Sequence, residues 1–359
     1  MRPTVWARID LAALRHNAAV VRRLAPRSRI LAMLKADAYG HGLVPVARAL
    51  ADQVQGIGVA RIDEAVALRA AGWQQTILIL AAWLEPEELE WCAAQQVAVV
   101  VHDEGLLARL ADCRLSRPLR VWLKVNSGMN RLGVPAAACA PVMARIRADR
   151  QLILDTVMTH LACADQAAEP GVADQLAAFE AALPTDAPPR SIANSAGLIA
   201  HPESRSDWVR PGIMLFGPDP RPGTSALGLR PVMHLQARVL SVREIAPGER
   251  VGYGGDWQAD RPARIATAGI GYGDGYPRHV APGTEVSLGG QRLPLAGRVS
   301  MDLIGIDVST RPQTAPGEVV TLWGDDPPVD DIAARAGTIS YELLSQVQSR
   351  VTRLYPELH

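Results

Sequence analysis

Between positions 29 and 216 the chain alternates short apolar, β-branched runs with longer amphipathic segments, eight times over. The runs fall at 29–35, 56–60, 76–80, 97–101, 119–125, 152–161, 191–194 and 209–216. They have the apolar, β-branched character of strands covered on both faces in a parallel sheet. Helices are expected between them, at 43–50, 64–71, 86–95, 104–110, 136–148 and 172–183. Asp10 is a candidate cap for a further helix through Asn17. Eight such units in this length fit a (β/α)8 barrel better than an open doubly wound sheet. The predicted class is therefore α/β, a TIM-like barrel followed by a mostly β C-terminal domain.

The pattern changes near Gly217-Pro218-Asp219-Pro220-Arg221-Pro222-Gly223, which reads as a linker. Beyond it strands are expected at 234–242, 263–270, 285–288, 302–308 and 319–323, with short helices at 331–336 and 341–350. The expected domains are 10–225 and 226–359, the second joined by a strand within 1–9. A chain of 359 residues, 48% apolar and 21% charged, has ample material for such a core. Lysine plus arginine balance aspartate plus glutamate at 37 each, so no strong pull toward nucleic acid or a membrane surface is expected. The first ten residues lack an apolar secretory core, and no uncharged run is long enough to cross a membrane. Cys92, Cys113, Cys139 and Cys163 are scattered, which suggests free thiols in the cytoplasm and no metal site.

In a (β/α)8 barrel, chemistry sits at the C-terminal ends of the strands. Lys35, Arg131, His160, Asn194 and Arg210 fall there on this reading. Burial at a strand end would lower the pKa of Lys35 and make it a nucleophile or base. Taken alone, Lys35 reads equally well as a solvated strand-edge lysine. Arg131 reads as a surface arginine, His160 as a structural histidine, and Tyr253 as a hairpin tyrosine among glycines. The run Tyr39-Gly40-His41-Gly42 shifts the balance at Lys35, because glycine allows close backbone approach and tyrosine can donate to a phosphate oxygen.

Lys35-Ala36-Asp37-Ala38-Tyr39-Gly40-His41-Gly42 resembles the pyridoxal-phosphate attachment signature of alanine racemases. The resemblance continues through Lys124 to Gly133, Met158 to Asp165, Ala193 to Ala196 and Val209 to Ile213. In the second half it includes Val251 to Gly255, Gly271 to Tyr276 and Gly297 to Asp302. Each stretch is weak by itself; their joint order and spacing are specific.

The resemblance implies that Lys35 carries pyridoxal phosphate covalently and is one of two catalytic bases, with Tyr253 the second. Two bases on opposite faces suit racemisation, since one residue could hardly reach both sides of the reacting carbon. It further implies a homodimer in which Tyr253 and Met301 serve the neighbouring active site. Arg210 is implied to face the cofactor's ring nitrogen, with His160 orienting it. A cation there, in place of the carboxylate many such enzymes use, weakens the electron sink. The phosphate is expected from Tyr39, Asn194-Ser195, the backbone amides of Gly212 and Ile213, and Tyr341. Arg131 and the Met301 amide are implied for the substrate carboxylate, L-alanine or D-alanine. Lys124 is implied as a possible carbamylated lysine that would hold Arg131. Tyr272, near Arg278 and Asp302, is expected to narrow the entrance toward a methyl side chain. Ser300 stands where some relatives have cysteine. A broader amino-acid racemase, a barrel-only cofactor-binding protein, a related decarboxylase and a metal-dependent hydrolase are the rival readings. The missing export signal, the second domain, Arg210 and the lack of a ligand cluster speak against them in turn.

Overall fold

A computed structural model describes residues 3–81, 83–166, 171–220 and 227–356. The strands Arg29–Met33, Gly56–Val59, Thr76–Ile79, Ala98–Val101, Leu119–Asn126, Leu152–Met158, Arg190–Ser191 and Trp208–Val209 pair in parallel, each with the next. The last returns to the first through Trp208 opposite Arg29 and Val209 opposite Ile30, so the sheet closes into an eight-stranded barrel. Closure leaves no edge, and every backbone donor in the staves can find a partner. The runs are apolar on both faces because both are covered. Ile57, Ile77, Leu78, Val99 and Val121 are wholly or almost wholly buried.

The first helix runs over Leu11–Leu24, longer than expected, and Asp10 accepts the Ala13 amide at 2.8 Å as its cap. Pro26 follows its end, where the residue before proline avoids helical backbone.

Four expected staves end at least two residues before their runs do, the sixth at Met158, two residues before His160. The first stops at Met33, two residues before Lys35, and the chain then enters a left-handed turn, Lys35–Gly40. The seventh stops at Ser191 because Asn194 leaves the ladder to cap the helix Ser195–Ala200. The eighth is a strand only at Trp208–Val209. Pro211 has no N–H to give the ladder, and Ile213–Phe216 coils into a 3-10 turn.

The C-terminal half is built on the long strand Met233–Ile245, which pairs with Ala263–Ala268 and Val319–Trp323. Glu285–Leu288, Gln291–Pro294 and Ile304–Asp307 extend these sheets. The strand Val5–Ile9 lies antiparallel to Met233–Ile245 and parallel to Thr352–Leu354, so the first strand belongs to the second sheet system. The helices Val329–Ala336 and Ser340–Gln346 follow. The second ends four residues before Arg350, short of its expected extent. Residues 221–223 of the expected linker, and the expected boundary at 225/226, lie outside the described residues.

Candidate active site

Eight of the anticipated residues converge on one cavity of about 550 Å³ at the C-terminal mouth of the barrel: Lys35, Tyr39, Arg131, His160, Asn194, Ser195, Arg210 and Tyr341. Lys124, Gly212 and Ile213 line it as well. That volume lies within the range of small-ligand sites. A slightly larger cavity, about 610 Å³, lies in the C-terminal half between Trp257, Arg278 and Arg298. None of those eight residues lines it.

Lys35 opens the left-handed turn directly beyond its strand. Solvent reaches its ammonium through the mouth, yet the surrounding walls lower its pKa. The positive Arg131 adds to this and Glu64 opposes it. Glu64 was not anticipated from the sequence. Its carboxylate accepts the amides of Ala60 and Arg61 at 2.8 and 3.2 Å, so it is fixed at the start of the helix Ile62–Ala70.

Tyr39 is buried against Phe216, with ring centres 5.0 Å apart, and lies 6.1 Å from Tyr341. Burial raises the pKa of its phenol, so it remains a neutral donor. A Cβ on Gly212 would come within 2.5 Å of the Tyr39 hydroxyl, so only glycine lets the phenol lie against the backbone there. Tyr341 is more open, and burial pushes its pKa up to about 12, with Asp165 and Asp330 adding to this.

Arg210 is buried, and among the described residues no carboxylate is one of its hydrogen-bond partners. Its guanidinium donates to Ser191 Oγ at 2.7 Å and to the Thr159 and Ile192 carbonyls at 2.6 and 3.0 Å. It also lies 3.3 Å from His160 Nδ1. Burial lowers its pKa to about 10, which leaves it a cation at neutral pH. Burial, then Arg210, hold the His160 pKa far down, so the ring is neutral and Nδ1 can accept from Arg210. The Thr159, Ser191 and Ile192 acceptors could not be read from the sequence, since two of them are backbone carbonyls.

Asn194 caps its helix by accepting the Gly197 amide at 2.8 Å. Ser195 Oγ accepts the Gly212 amide at 2.9 Å. Its own hydroxyl hydrogen remains to be given to a ligand oxygen. A phosphate would share the Gly212 amide with Ser195. Lys124 is buried on Leu119–Asn126, and burial, followed by Arg210, Arg131 and Lys35, lowers its pKa to about 8.

These residues fit pyridoxal phosphate. The cavity gathers cationic and hydroxyl donors suited to a dianion, a lysine with lowered pKa suited to an aldehyde, and an arginine without a counter-carboxylate.

Tyr253, Met301 and Tyr272 stand apart from this cavity. All three are exposed, Tyr253 by 70% and Met301 by 54%. Tyr253 sits in a 3-10 turn after Gly252, beside the Arg298–Asp256 ion pair.

The sequence profile of the alanine racemase N-terminal domain matches residues 9–220, and that of the C-terminal domain matches 232–355. The chain belongs to the alanine racemase family. Among its relatives, the alanine racemase of Thioalkalivibrio sulfidiphilus is 48% identical over 359 residues, covering 99% of each chain. The biosynthetic alanine racemase of Pseudomonas aeruginosa is 44% identical over 357 residues, covering 99% of each. A crystal structure of the P. aeruginosa biosynthetic enzyme superposes with a TM-score of 0.95 at 43% identity, covering 99% of both chains. The Bartonella henselae alanine racemase, solved with covalently bound pyridoxal phosphate, superposes at 0.90 with 29% identity, covering 99% of this chain and 100% of the other. The (β/α)8 barrel with a mostly β C-terminal half is thus the architecture of alanine racemases.

Proposed function

We propose that this chain interconverts L-alanine and D-alanine, with pyridoxal phosphate held on Lys35, as a cytoplasmic homodimer. The observation that carries the reading is the single barrel-mouth cavity holding Lys35, Tyr39, Ser195 and Arg210, in a chain 48% identical end to end to an alanine racemase. Peptidoglycan supply and alanine breakdown are both served by this reaction.

Pyridoxal phosphate, when bound, supplies the electron sink that makes the Cα–H bond of alanine acidic. Tyr39, Asn194, Ser195, Gly212, Ile213 and Tyr341 hold its phosphate. Arg210 offers only N–H donors, so it would leave a ring nitrogen facing it unprotonated and temper the sink that the cofactor supplies. His160 keeps Arg210 aimed. Lys35, with its lowered pKa, moves the proton at Cα on one face.

Tyr253 of the partner subunit moves the proton on the opposite face. The exposure of Tyr253 and Met301, away from their own chain's cavity, supports an assignment across a dimer interface. Arg131 and the partner subunit's Met301 amide bind the substrate carboxylate, and Tyr272 narrows the approach toward a methyl group. Lys124 is surrounded by cations and has an amine pKa near 8, conditions that favour a carbamate able to hold Arg131. The free cysteines suit a reducing compartment.

The test is formation of D-alanine from L-alanine with added pyridoxal phosphate. Exchange of serine or lysine without exchange of alanine would overturn the substrate assignment.

A further inference from the structure

The turn that carries Lys35 and Tyr39 has an unusual backbone. Ala36, Asp37, Ala38 and Tyr39 all have φ between 53° and 55°, in the left-handed region. L-residues pay for that conformation, and a run of four persists only where its surroundings over-determine it. Some of the hold is internal: the Ala38 amide donates to Leu34 O at 2.8 Å and the Gly42 amide to Asp37 O at 3.0 Å. Asp37 accepts the Leu43 amide at 2.7 Å and Arg353 donates to the Gly40 carbonyl at 3.2 Å, and two further side chains hold the turn from the side away from the cavity.

The first is His41. It is fully buried, lines no part of the cavity, and packs at a tilt against Phe216 with ring centres 4.4 Å apart. Phe216 in turn packs on the Tyr39 ring. His41 Nδ1 lies 2.8 Å from the Tyr39 carbonyl and 3.1 Å from that of Ala38. Carbonyls only accept, so Nδ1 carries the hydrogen and the ring is the neutral Nδ1–H tautomer. Its Nε2 is buried without a partner among the described residues, so the ring is held for its Nδ1 bond and its contact with Phe216.

The second is Tyr355, at the C-terminal end of the described chain. Its hydroxyl donates to the His41 carbonyl at 2.9 Å. It reaches that carbonyl by lying where a Cβ on Gly42 would stand, and Gly42 has a φ of 95°.

We propose that His41 and Tyr355 are positioning residues that latch the left-handed turn from behind and thereby aim Tyr39 at the cofactor phosphate. His41 fixes the carbonyl of Tyr39 and supports its ring through Phe216. Tyr355 fixes the carbonyl of His41. Neither touches the cavity, so they act through the turn. This rests on the assignment of Tyr39 to the phosphate.

The test compares equilibrium binding of pyridoxal phosphate and of pyridoxal, which lacks the phosphate, followed by absorbance in the purified protein. His41→Phe keeps the packed ring and removes the Nδ1 donor. It leaves a buried carbonyl unpaired, so pyridoxal phosphate affinity should fall at least about tenfold. Pyridoxal affinity should change by less than about threefold, because the loss falls on the phosphate contact. His41→Asn, which restores a donor near Nδ1, should recover most of the phosphate preference. Tyr355→Phe, a milder change that keeps the protein folded if His41→Phe does not, should lower the same ratio in the same direction.

Equal weakening of both ligands, or an unchanged ratio in His41→Phe and Tyr355→Phe alike, would overturn the latch. Tyr39→Phe is the control. If it leaves the ratio intact, the phosphate assignment of Tyr39 itself fails; if it lowers the ratio while the latch variants do not, only the latch fails.

Discussion

At the residue scale, the site depends on cations held close together without enough carboxylate to balance them. Lys35 is the centre of the proposal, and Lys35→Ala should abolish the visible absorbance of the bound cofactor. Persistence of that band would refute the assignment. Tyr253→Phe should slow proton exchange from one alanine enantiomer more than from the other, read by deuterium incorporation at Cα from each pure enantiomer. Equal loss from both sides would contradict a one-face role.

Lys124 links charge to stability. Its folded pKa is about 8 against an ordinary 10.5. Between those values the unfolded chain holds a proton that the folded chain does not. The contribution of unmodified Lys124 to stability should therefore fall as pH drops from 10.5 to about 8 and stay flat below. A carbamate would relieve this cost by turning the cation into an anion beside Arg131 and Arg210. Bicarbonate should then raise the unfolding midpoint of the wild type and not that of Lys124→Gln. An identical response in both proteins would count against the modification.

At the scale of elements, short caps and turns decide where side chains point. Asn194 shows how. Its position after an apolar run was legible, and so was its place at the barrel mouth. That it leaves the strand to cap Ser195–Ala200, and so presents Ser195 Oγ to Gly212, depends on backbone geometry. Asn194→Ala should lower unfolding free energy by about 1 kcal/mol, the usual cost of a lost N-cap, measured by chemical denaturation. It should also weaken pyridoxal phosphate binding, since Ser195 begins that helix. The eighth stave makes the same point: its apolar run looked continuous, yet Pro211 ends the ladder and turns Gly212 and Ile213 toward the cavity.

At the scale of the whole molecule, the proposed chemistry needs two chains. Tyr253 and Met301 face solvent while Lys35 lies in the barrel mouth. Lys35→Ala and Tyr253→Phe should each be inactive in racemisation. Mixed and allowed to exchange subunits, they should regain roughly a quarter of wild-type activity, because half the dimers are mixed and each has one intact site. A mixture that stays inactive would place both bases in one chain.

The sequence by itself determined the barrel and pointed to the residues proposed for the site. Eight runs of apolar, β-branched character point to a sheet covered on both sides, and the motifs around Lys35, Arg131, Asn194 and Arg210 fell at the strand ends. Periodicity carries that information because burial acts residue by residue along the chain. The tertiary structure alone decided the left-handed turn behind Lys35, the carbonyls of Thr159 and Ile192 that hold Arg210, and the nearness of Glu64 to Lys35. It also chose the partner of the strand Val5–Ile9, whose place in the second half was already expected: Met233–Ile245, more than two hundred residues away. Those features arise from backbone groups and from contacts between distant segments. A backbone carbonyl has no letter in the sequence, and long-range contacts exist only once the chain has closed on itself.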